Sequence, residues 1–561
     1  MFSTKNMKYM ILAAAFYLFS TINVNAAVNC SDLVNQSYKV PKRAHSIVVT
    51  SAVEMTSDPT LPDHCEVTGQ IDVDPNDDSY IGFQMRLPVE WNGKFLMHGN
   101  GQFAGTLENY DDAGIFPFPS LQNPPFTFFD PDVPVDSPLL RGYAVAVTDA
   151  GHQSVHRSDG SWAQSVPGEE EINFAFLGVH LVTVVAKEII GMHYGDAPSY
   201  SYFSGCSNGG REAMWEVTNY PDDYDGVLAG TPFSNFNGWV LKLIEIQQAM
   251  FPPGRNLDDP VVPISTMLAI HAAVISKCGD TNGIISDPLR CNFDFTEDAG
   301  ITDPDQLAVL EILYGSSIID NKFIYPDFPL GVETDALAGQ VFHPFFLFAL
   351  PSVLPPPVNF PAPNSSYLNA LKFIKFFLKD DPTATLFDIE LENEGKDAMK
   401  NLEYLSPDKN IIPYKARGGK LIMYHGLADG GLSAANTVTE FNKFIKGNGR
   451  QRMVDKFARL FLLPNVHHCG LGIGVPNPSD PVNDGATFHS LVGDLLTPLE
   501  NWVEKGIAPN KIPVKVGEWD PFEGKTISTL TDIVVCPYPE RTVLNSDGEY
   551  ECEEADIIDI E

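Results

Sequence analysis

A serine that could act as a nucleophile lies in the turn Gly205-Cys206-Ser207-Asn208-Gly209, which fits the pattern G-x-S-x-G. The turn follows a predicted strand at 200–205 and precedes a predicted helix at 208–219, which is the context in which this pattern carries a catalytic serine. A serine held there stands above a sheet at a helix N-terminus, where backbone N–H groups can stabilise an oxyanion. A purely structural glycine turn is the alternative, and the five residues alone do not decide between the two.

Asp429 and His468 are the residues that could activate this serine. A serine hydroxyl is a weak nucleophile and needs a base, which in turn needs an orienting acid. In proteins with this kind of turn, the acid and then the base follow the serine along the chain. Asp429 comes just after a predicted strand at 419–425, and His468 follows a predicted strand at 457–463. We therefore predict a catalytic triad of Ser207, Asp429 and His468.

Each of these two residues also has an ordinary alternative role. An aspartate in a turn frequently serves only to hold the turn. His467 could be the base instead of His468, and the run His467-His468-Cys469 could belong to a metal site. No second group of metal-binding residues stands out in the sequence, so the catalytic interpretation is favoured.

Eight cysteines occur in the chain, and none forms the C-x-x-C pattern of zinc or thioredoxin-like sites. Their even number is typical of a disulfide-bonded protein, although the sequence does not determine which cysteines pair. A bond between Cys206 and Cys469 would hold Ser207 and His468 in neighbouring positions, since the Cα atoms of a disulfide lie about 4.4–6.8 Å apart. The simplest local pairs leave those two cysteines over, and they are Cys30–Cys65, Cys278–Cys291 and Cys536–Cys552.

The elements that would position these residues alternate between strand and helix. A predicted strand at 142–148 is followed by a helix at 177–191, and the alternation continues through the elements named above. This order is typical of a mainly parallel sheet covered by helices. Residues 235–405 are rich in proline and phenylalanine and lack the alternation. We predict an α/β-hydrolase core, formed by residues 27–234 and 406–561, with a large inserted lid domain at 235–405.

The first 26 residues are typical of an export signal. Lys5 and Lys8 precede a mostly apolar run, Met10–Ile22, and Val24-Asn25-Ala26 forms a small-residue cleavage site. We predict a signal peptide at 1–26 and a secreted or periplasmic mature protein. A membrane anchor is the alternative, but the run is short for a span of about 20 residues. No later stretch is expected to be long and apolar enough to cross a bilayer.

The composition is strongly acidic, with a net charge of −37 from 36 Lys and Arg against 73 Asp and Glu. A surface this negative repels nucleic-acid phosphates and anionic membranes. We therefore expect neither a nucleic acid nor a membrane as a partner, and the sequence indicates no oligomeric state.

Around the candidate triad the sequence resembles the tannase and feruloyl esterase family, which also includes the hydrolase of mono(2-hydroxyethyl) terephthalate. The resemblance covers nearly the whole mature chain. It implies a disulfide between Cys206 and Cys469 beside the triad. It also implies an oxyanion hole formed by backbone N–H groups near Gly101 or Gln102 and by that of Asn208. The matching stretches are 99–105, 148–152, 202–211, 220–230, 418–429 and 502–506, with Cys206-Ser207, His468-Cys469 and the pair Cys536 and Cys552.

The resemblance further implies a structural calcium ion in the lid, bound by an aspartate-rich loop that a disulfide closes. The corresponding loop here runs from Cys278 to Cys291, is shorter than usual, and has Asn282 where an aspartate is usual. Oxygen donors at alternating positions suit a hard cation, and a plain Asx turn is the alternative. The candidate ligands are Asp280, Asn282, the Ile284 carbonyl and Asp287. No organic cofactor is expected.

The substrate is expected to be a small aromatic ester. The aromatic run Phe342–Leu350 and the proline-rich segment that extends to Pro363 could stack on such a molecule, or could simply form the core of the lid. By resemblance, the protein hydrolyses carboxylic esters of aromatic or phenolic acids through an acyl-enzyme on Ser207. A lipase or peptidase of the same fold and a secreted binding protein without catalysis are the alternatives.

Overall fold

The computed structural model of the protein describes residues 27–560, apart from the segments 57–60, 77–78, 108–137, 155–156, 233, 258, 335–364, 408–409, 471–487, 493, 521–524 and 527–530. The predicted signal peptide at 1–26 lies outside the described residues, as does the aromatic run Phe342–Leu350 with its extension to Pro363.

Strands occur in both the predicted core and the insertion. They are β1 (Ser46–Met55), β2 (His64–Asp72), β3 (Ile81–Pro88), β4 (Lys94–His98), β5 (Ala144–Thr148), β6 (Tyr200–Cys206), β7 (Gly226–Gly230), β8 (Ser317–Ile319), β9 (Lys322–Tyr325), β10 (Lys420–Gly426), β11 (Ala458–Leu463), β12 (Phe488–Val492), β13 (Ile512–Asp520), β14 (Lys525–Thr526), β15 (Thr531–Val535), β16 (Arg541–Leu544) and β17 (Tyr550–Glu553).

The α-helices are α1 (Glu169–Ile172), α2 (Gly178–Tyr194), α3 (Asn208–Asn219), α4 (Phe236–Met250), α5 (Ile264–Cys278), α6 (Pro304–Leu313), α7 (Ser365–Lys372), α8 (Leu391–Asn401), α9 (Ile412–Arg417), α10 (Ala434–Asn448), α11 (Gln451–Val454) and α12 (Leu496–Lys505). A π-helical turn at Asn173–Leu177 joins α1 to α2.

The central sheet has nine strands in the order β1-β2-β3-β5-β4-β6-β7-β10-β11. From β5 to β11 along this order the neighbouring strands are parallel, while β1, β2 and β3 add an antiparallel edge that ends on β5. Every residue of β5 and β7 is buried, as expected for strands covered on both faces. Because β6, β10 and β11 run in one direction, their carboxyl ends meet at one edge of the sheet, and this edge carries Ser207, Asp429 and His468.

Alternate residues of the strands point to opposite faces, and a different core covers each face. On one face Phe95 and Phe203 pack in the core that includes α2, α3 and α10. On the other face Leu96 and Tyr202 pack in a core with α12, β13 and β15. The sheet is therefore a rigid support whose loops at one edge can carry the chemistry.

The inserted residues 235–405 contain a hydrophobic core of their own, between α4, α5 and α6. A further core joins the insertion to the sheet's edge, where Phe236, Trp239 and Phe373 pack with Phe103 and Phe174. A segment with its own core and a packed contact with the rest is organised as an inserted unit. That it acts as a lid stays a prediction.

One helical stretch, Glu169–Tyr194, is long and apolar enough to cross a membrane by length and composition. The expectation that no such stretch follows the export signal is therefore wrong on those two criteria. However, 67% of its most apolar window is buried, and Leu181, Val185 and Ile189 are fully buried in the core on the sheet. This burial is typical of the core helix of a globular domain.

Candidate active site

The serine turn joins β6 to α3 and holds Ser207 in a strained backbone conformation, with φ 63° and ψ −121°. The Ser207 N–H donates to the Gly230 carbonyl at the end of β7, with nitrogen and oxygen 3.1 Å apart. A Cβ atom at Gly205 would lie 2.6 Å from the backbone of Gly209, and one at Gly210 would lie 2.1 Å from the Gly230 oxygen. The glycines therefore allow strand and helix to approach as closely as this turn requires.

Asp429 lies just beyond the end of β10 and is fully buried. Its Oδ1 accepts the backbone N–H groups of Gly431 and Leu432, each at 2.9 Å. Its Oδ2 accepts a hydrogen bond from Nδ1 of His468 at 2.8 Å. Burial alone would raise the pKa of Asp429, but His468 and the hydrogen bonds from His425 and His468 outweigh it and hold the pKa far below its usual value. The carboxylate is therefore ionised wherever the protein is folded at ordinary pH.

His468 lies in the turn after β11 and contacts Asp429, whereas no such contact links Asp429 to His467 among the described hydrogen bonds. Since a carboxylate only accepts, Nδ1 of His468 carries a hydrogen atom, and Nε2 is the ring nitrogen that can take up a proton. His425 adds a second support. Its Nε2 lies 2.9 Å from the Leu432 carbonyl and 3.3 Å from Oδ2 of Asp429, so this nitrogen also carries a hydrogen atom.

A disulfide joins Cys206 to Cys469, with Cα atoms 5.8 Å apart and a sequence separation of 263. Ser207 follows the first cysteine and His468 precedes the second. Because consecutive Cα atoms are about 3.8 Å apart, the Cα atoms of Ser207 and His468 lie within about 13 Å of each other. The structure also contains the disulfides Cys30–Cys65, Cys278–Cys291 and Cys536–Cys552.

Gln102 and Asn208, two of the residues named for the oxyanion hole, line the same cavity as Ser207. Asn208 is the first residue of α3, and an N–H in the first turn of a helix has no acceptor within that helix. Gln102 has a positive φ of 53° and lies in the loop after β4. Gly101 precedes it, and a Cβ atom at Gly101 would meet only ordinary contacts with the Arg157 side chain, the nearest at 3.5 Å.

Glu212 connects the two sides of this candidate oxyanion hole, a role that the sequence analysis missed. Its Oε2 accepts the backbone N–H of Asn100 at 2.8 Å, and its Oε1 accepts the side-chain amides of Asn100 at 3.1 Å and Asn208 at 3.0 Å. Arg211 donates to Oδ1 of Asn208 at 2.8 Å from the other direction. The only available signal was the position of Glu212 one turn after Asn208 on α3, which places the two side chains on one helix face.

The cavity in front of Ser207 has an empty volume of about 380 Å³, part of which is open to solvent. Its apolar lining is mostly aromatic, and its polar lining is neutral among the described residues. The size suits a small organic molecule. The lining residues are Gln102, Phe103, Ser207, Asn208, Phe236, Trp239, Asn369, Phe373 and Leu432.

Comparison with known proteins identifies the family. A sequence model of the family described as Tannase and feruloyl esterase matches residues 65–307 and 382–557, which is more than half of the chain. The chain belongs to the tannase and feruloyl esterase family. It is a carboxylic ester hydrolase with an α/β-hydrolase fold, which favours the esterase over the alternatives raised by the sequence.

Relatives in this family match over most of their length. A probable feruloyl esterase B-2 of Aspergillus terreus is 26% identical over 526 residues, covering 90% of this chain and 88% of the relative. The mono(2-hydroxyethyl) terephthalate hydrolase of Piscinibacter sakaiensis is 24% identical over 550 residues, covering 88% and 84%. The crystal structure of feruloyl esterase B from Aspergillus oryzae has the same fold, with a TM-score of 0.67 at 20% identity, and covers 91% of this chain and 96% of that one.

In the loop at 278–291, for which the resemblance implied calcium, most of the candidate ligand oxygens accept hydrogen bonds from the protein itself. Oδ1 of Asp280 accepts the N–H groups of Asn282 and Ile284 at 2.8 and 3.0 Å, and Oδ2 accepts from the Tyr550 hydroxyl at 2.9 Å. The Ile284 carbonyl accepts the Asp280 N–H at 3.0 Å. The loop is therefore closed by an Asx turn, the alternative that the sequence left open.

Asp287, the fourth candidate ligand, faces two arginines. Its Oδ2 accepts from Arg290 at 2.8 Å and from Arg541 of β16 at 3.2 Å. Two guanidinium groups at this carboxylate neutralise it and would repel a divalent cation. In this arrangement Asp280, the Ile284 carbonyl and Asp287 already accept hydrogen bonds within the protein, and as they stand these three oxygen ligands do not fit a calcium ion.

The role of Glu212 can be tested with Glu212→Gln. An amide has one acceptor oxygen in place of two, so it leaves an amide donor of Asn100 or Asn208 unpaired in the interior, at about 1.5–3 kcal/mol. We expect lower stability and, in the protein that remains folded, a kcat for ester hydrolysis reduced by roughly tenfold or more. Chemical denaturation and steady-state kinetics would measure the two effects.

The matched control is Glu333→Gln, at a fully buried glutamate that accepts from Tyr314 at 2.7 Å, far from Ser207 in sequence. The same chemical change there should lower stability and leave kcat unchanged. Equal kcat values for the two variants would contradict a positioning role of Glu212.

Proposed function

We propose that this protein is a secreted hydrolase of neutral aromatic or phenolic acid esters, of the feruloyl esterase or tannase type, with Ser207, His468 and Asp429 as its catalytic triad. One observation carries the proposal. The histidine that is hydrogen-bonded to a buried, ionised aspartate lies beside a cysteine whose disulfide partner adjoins a strained serine. Base, acid and nucleophile are thereby held together at one edge of the sheet.

The reaction begins when Nε2 of His468 takes the proton from Oγ of Ser207, which attacks the ester carbonyl carbon. The carbonyl oxygen becomes an oxyanion that the backbone N–H groups of Gln102 and Asn208 stabilise. The imidazolium then gives its proton to the leaving alcohol, and an acyl-enzyme remains on Ser207. Water, deprotonated by His468, attacks this ester, and the acid is released with Ser207 regenerated.

Asp429 has an electrostatic and an orienting role in this cycle. Its ionised Oδ2 accepts from Nδ1 of His468 and stabilises the positive ring that forms when Nε2 is protonated. Its Oδ1 is fixed by two backbone N–H groups, so the carboxylate cannot rotate away. The low pKa of Asp429 keeps the proton on His468 during the cycle.

The substrate class follows from the cavity. Phe103, Phe236, Trp239 and Phe373 present aromatic faces and edges, which suit the ring of an aromatic acid. Asn369 is a neutral polar group that could hydrogen-bond a phenol or methoxy oxygen. Among the described lining residues none is charged, so a substrate with a free carboxylate would lose its hydration without an ionic partner.

The insertion and the location of the protein belong to the same proposal. Phe236, Trp239, Asn369 and Phe373 come from the inserted residues 235–405, which supports their role as a lid that shapes the substrate pocket. Secretion is supported by the predicted signal peptide, the acidic composition and four disulfides, which persist in oxidising surroundings.

Replacing Ser207 by alanine removes the nucleophile, and we expect kcat for p-nitrophenyl esters to fall by roughly 10⁴-fold or more, because the remaining site can only bind and polarise the ester. Ser201→Ala, at the start of the same strand β6, is the control and should retain activity. Full activity of Ser207→Ala would refute the assignment of the nucleophile.

Substrate charge provides a second test. We expect kcat/KM for methyl ferulate to exceed that for mono(2-hydroxyethyl) terephthalate by roughly tenfold or more, which corresponds to about 1.4 kcal/mol for an unpaired charge in the pocket. p-Nitrophenyl acetate would report the reactivity of the serine itself. A preference for the anionic ester would overturn the proposed substrate class and leave the triad assignment intact.

A further inference from the structure

Outside the candidate active site, three ionisable side chains lie close together near the C-terminal end of α3. They are His180 on α2, Glu216 on α3 and Asp223 in the loop between α3 and β7. One nitrogen or oxygen atom from each lies within 4.8 Å of the other two. None of the three is a cysteine-loop residue or a residue of the calcium-type loop at 278–291, so the group is a separate feature of the fold.

Glu216 is the unusual member of this group, because its side chain is only 1% exposed and both carboxyl oxygens are without a hydrogen-bond donor among the described residues. Its immediate neighbour is the Asp223 carboxyl group, which only accepts when it is ionised, as Glu216 does. Burial, followed by the charge of Asp223, raises the pKa of Glu216 well above its usual value. A buried carboxyl group that faces another carboxylate normally has a cation bonded directly to it, and Glu216 has none among the described hydrogen bonds.

His180 brings a ring nitrogen to the solvent-facing side of the two carboxyl groups of Glu216 and Asp223. Its Nδ1 lies 2.6 Å from Oδ2 of Asp223. The ring stacks flat on Tyr220, with centroids 3.8 Å apart and planes 6° from parallel, so its orientation is fixed. The side chain is 22% exposed, which gives an ion from solvent a route to the two carboxyl groups.

Lys187 is a cation close to the group, but it does not fill this position. Its ammonium donates to the backbone carbonyl of Asp223 and not to a carboxyl oxygen of Glu216 or Asp223. Burial lowers the pKa of Lys187. Its charge lowers the pKa of Glu216, but by less than burial and Asp223 raise it. No described hydrogen bond joins the ammonium to either carboxyl group, so the point where the imidazole also converges can still take a cation.

We propose that His180, Glu216 and Asp223 bind a divalent first-row transition-metal ion such as Zn²⁺. An imidazole with two carboxylates is a donor set that suits zinc better than calcium or magnesium. Zinc bonds of about 2.0–2.2 Å at tetrahedral angles place donor atoms roughly 3.3 Å apart, so shifts of about 1 Å bring the three groups into position. On the exposed side of His180, a water molecule would supply the fourth ligand of the tetrahedral ion.

A metal here would be structural. Glu216 lies on α3, which follows the serine turn, about 12 Å along the axis from the N-terminus of the helix at 1.5 Å per residue. This distance is too large for a ligand of Glu216 to touch a substrate at Ser207. The ion would join α2, α3 and the loop before β7 at the end of α3 that is opposite the candidate active site. It would therefore resist local opening of the helix that carries the serine turn.

The test is zinc binding by the full mature chain after chelation and removal of the chelator. We expect tight binding at a site that Glu216→Gln and His180→Gln each weaken by roughly 10²-fold or more, since even the loss of an outer-shell partner costs 10–100-fold. Saturating zinc should also raise the Tm of the wild-type protein by about 3 °C, and that of either variant by much less.

His193→Gln is the matched control, because His193 is another partly buried histidine on α2 and its Nδ1 contacts only a backbone carbonyl in the described hydrogen bonds. It should bind zinc as the wild-type protein does. Asp223→Asn provides a third ligand variant if another fails to fold. Zinc binding that survives all the ligand variants, or no binding by the wild-type protein, would overturn the proposal.

A shared proton between Glu216 and Asp223 would give a different result. In that case zinc would leave the Tm unchanged, and Glu216→Gln would stabilise the protein in the absence of metal because the amide supplies the missing hydrogen. This outcome would also overturn the proposal. Ester hydrolysis is not the readout, so the result is independent of the function proposed for Ser207.

Discussion

The disulfide between Cys206 and Cys469 is the constraint on which the candidate active site depends, because it ties the serine turn after β6 to the histidine turn after β11. The two turns are separated by two strands in the sheet and by a long insertion in the sequence. In the chain-entropy model, closing so long a loop stabilises the fold by about 5 kcal/mol. The same bond limits how far Ser207 and His468 can move apart, so a stabilising element also sets the geometry of the proposed triad.

Buried charges determine the rest of the site. Asp429 and Glu212 are fully enclosed carboxylates, and each is surrounded by N–H donors that fix a neighbouring loop. Removing such a donor leaves an uncompensated charge in the interior, so the loops cannot relax independently. Asp287 differs from both, because two arginines and not backbone N–H groups neutralise its partly buried carboxylate.

Local patterns in the sequence were sufficient to predict the elements that carry the proposed triad. The predicted strands and helices around Ser207, Asp429 and His468 agree with β6, α3, β10 and β11 to within a residue or so, because each combines an apolar run with glycine or turn residues at its end. Contacts between distant segments left no such pattern. Glu212 meets Asn100, and Arg541 meets Asp287, through side chains whose partners depend on the finished fold. The C-terminal sheet of β12 to β15 was missed because β12, β14 and β15 have five residues or fewer, while Pro513 and Gly517 interrupt the longer strand β13.

The central claim is that the Cys206–Cys469 bond holds the hydroxyl and the imidazole in reacting positions. The most direct measurement is the rate at which a fluorophosphonate labels Ser207 in the variant Cys206→Ala/Cys469→Ala, compared with Cys536→Ala/Cys552→Ala, which lacks a disulfide away from the site. With both proteins folded by circular dichroism, the account predicts labelling slower by roughly 10²-fold in the first variant and near the wild-type rate in the second. Equal labelling rates for the two variants and the wild-type protein would contradict it.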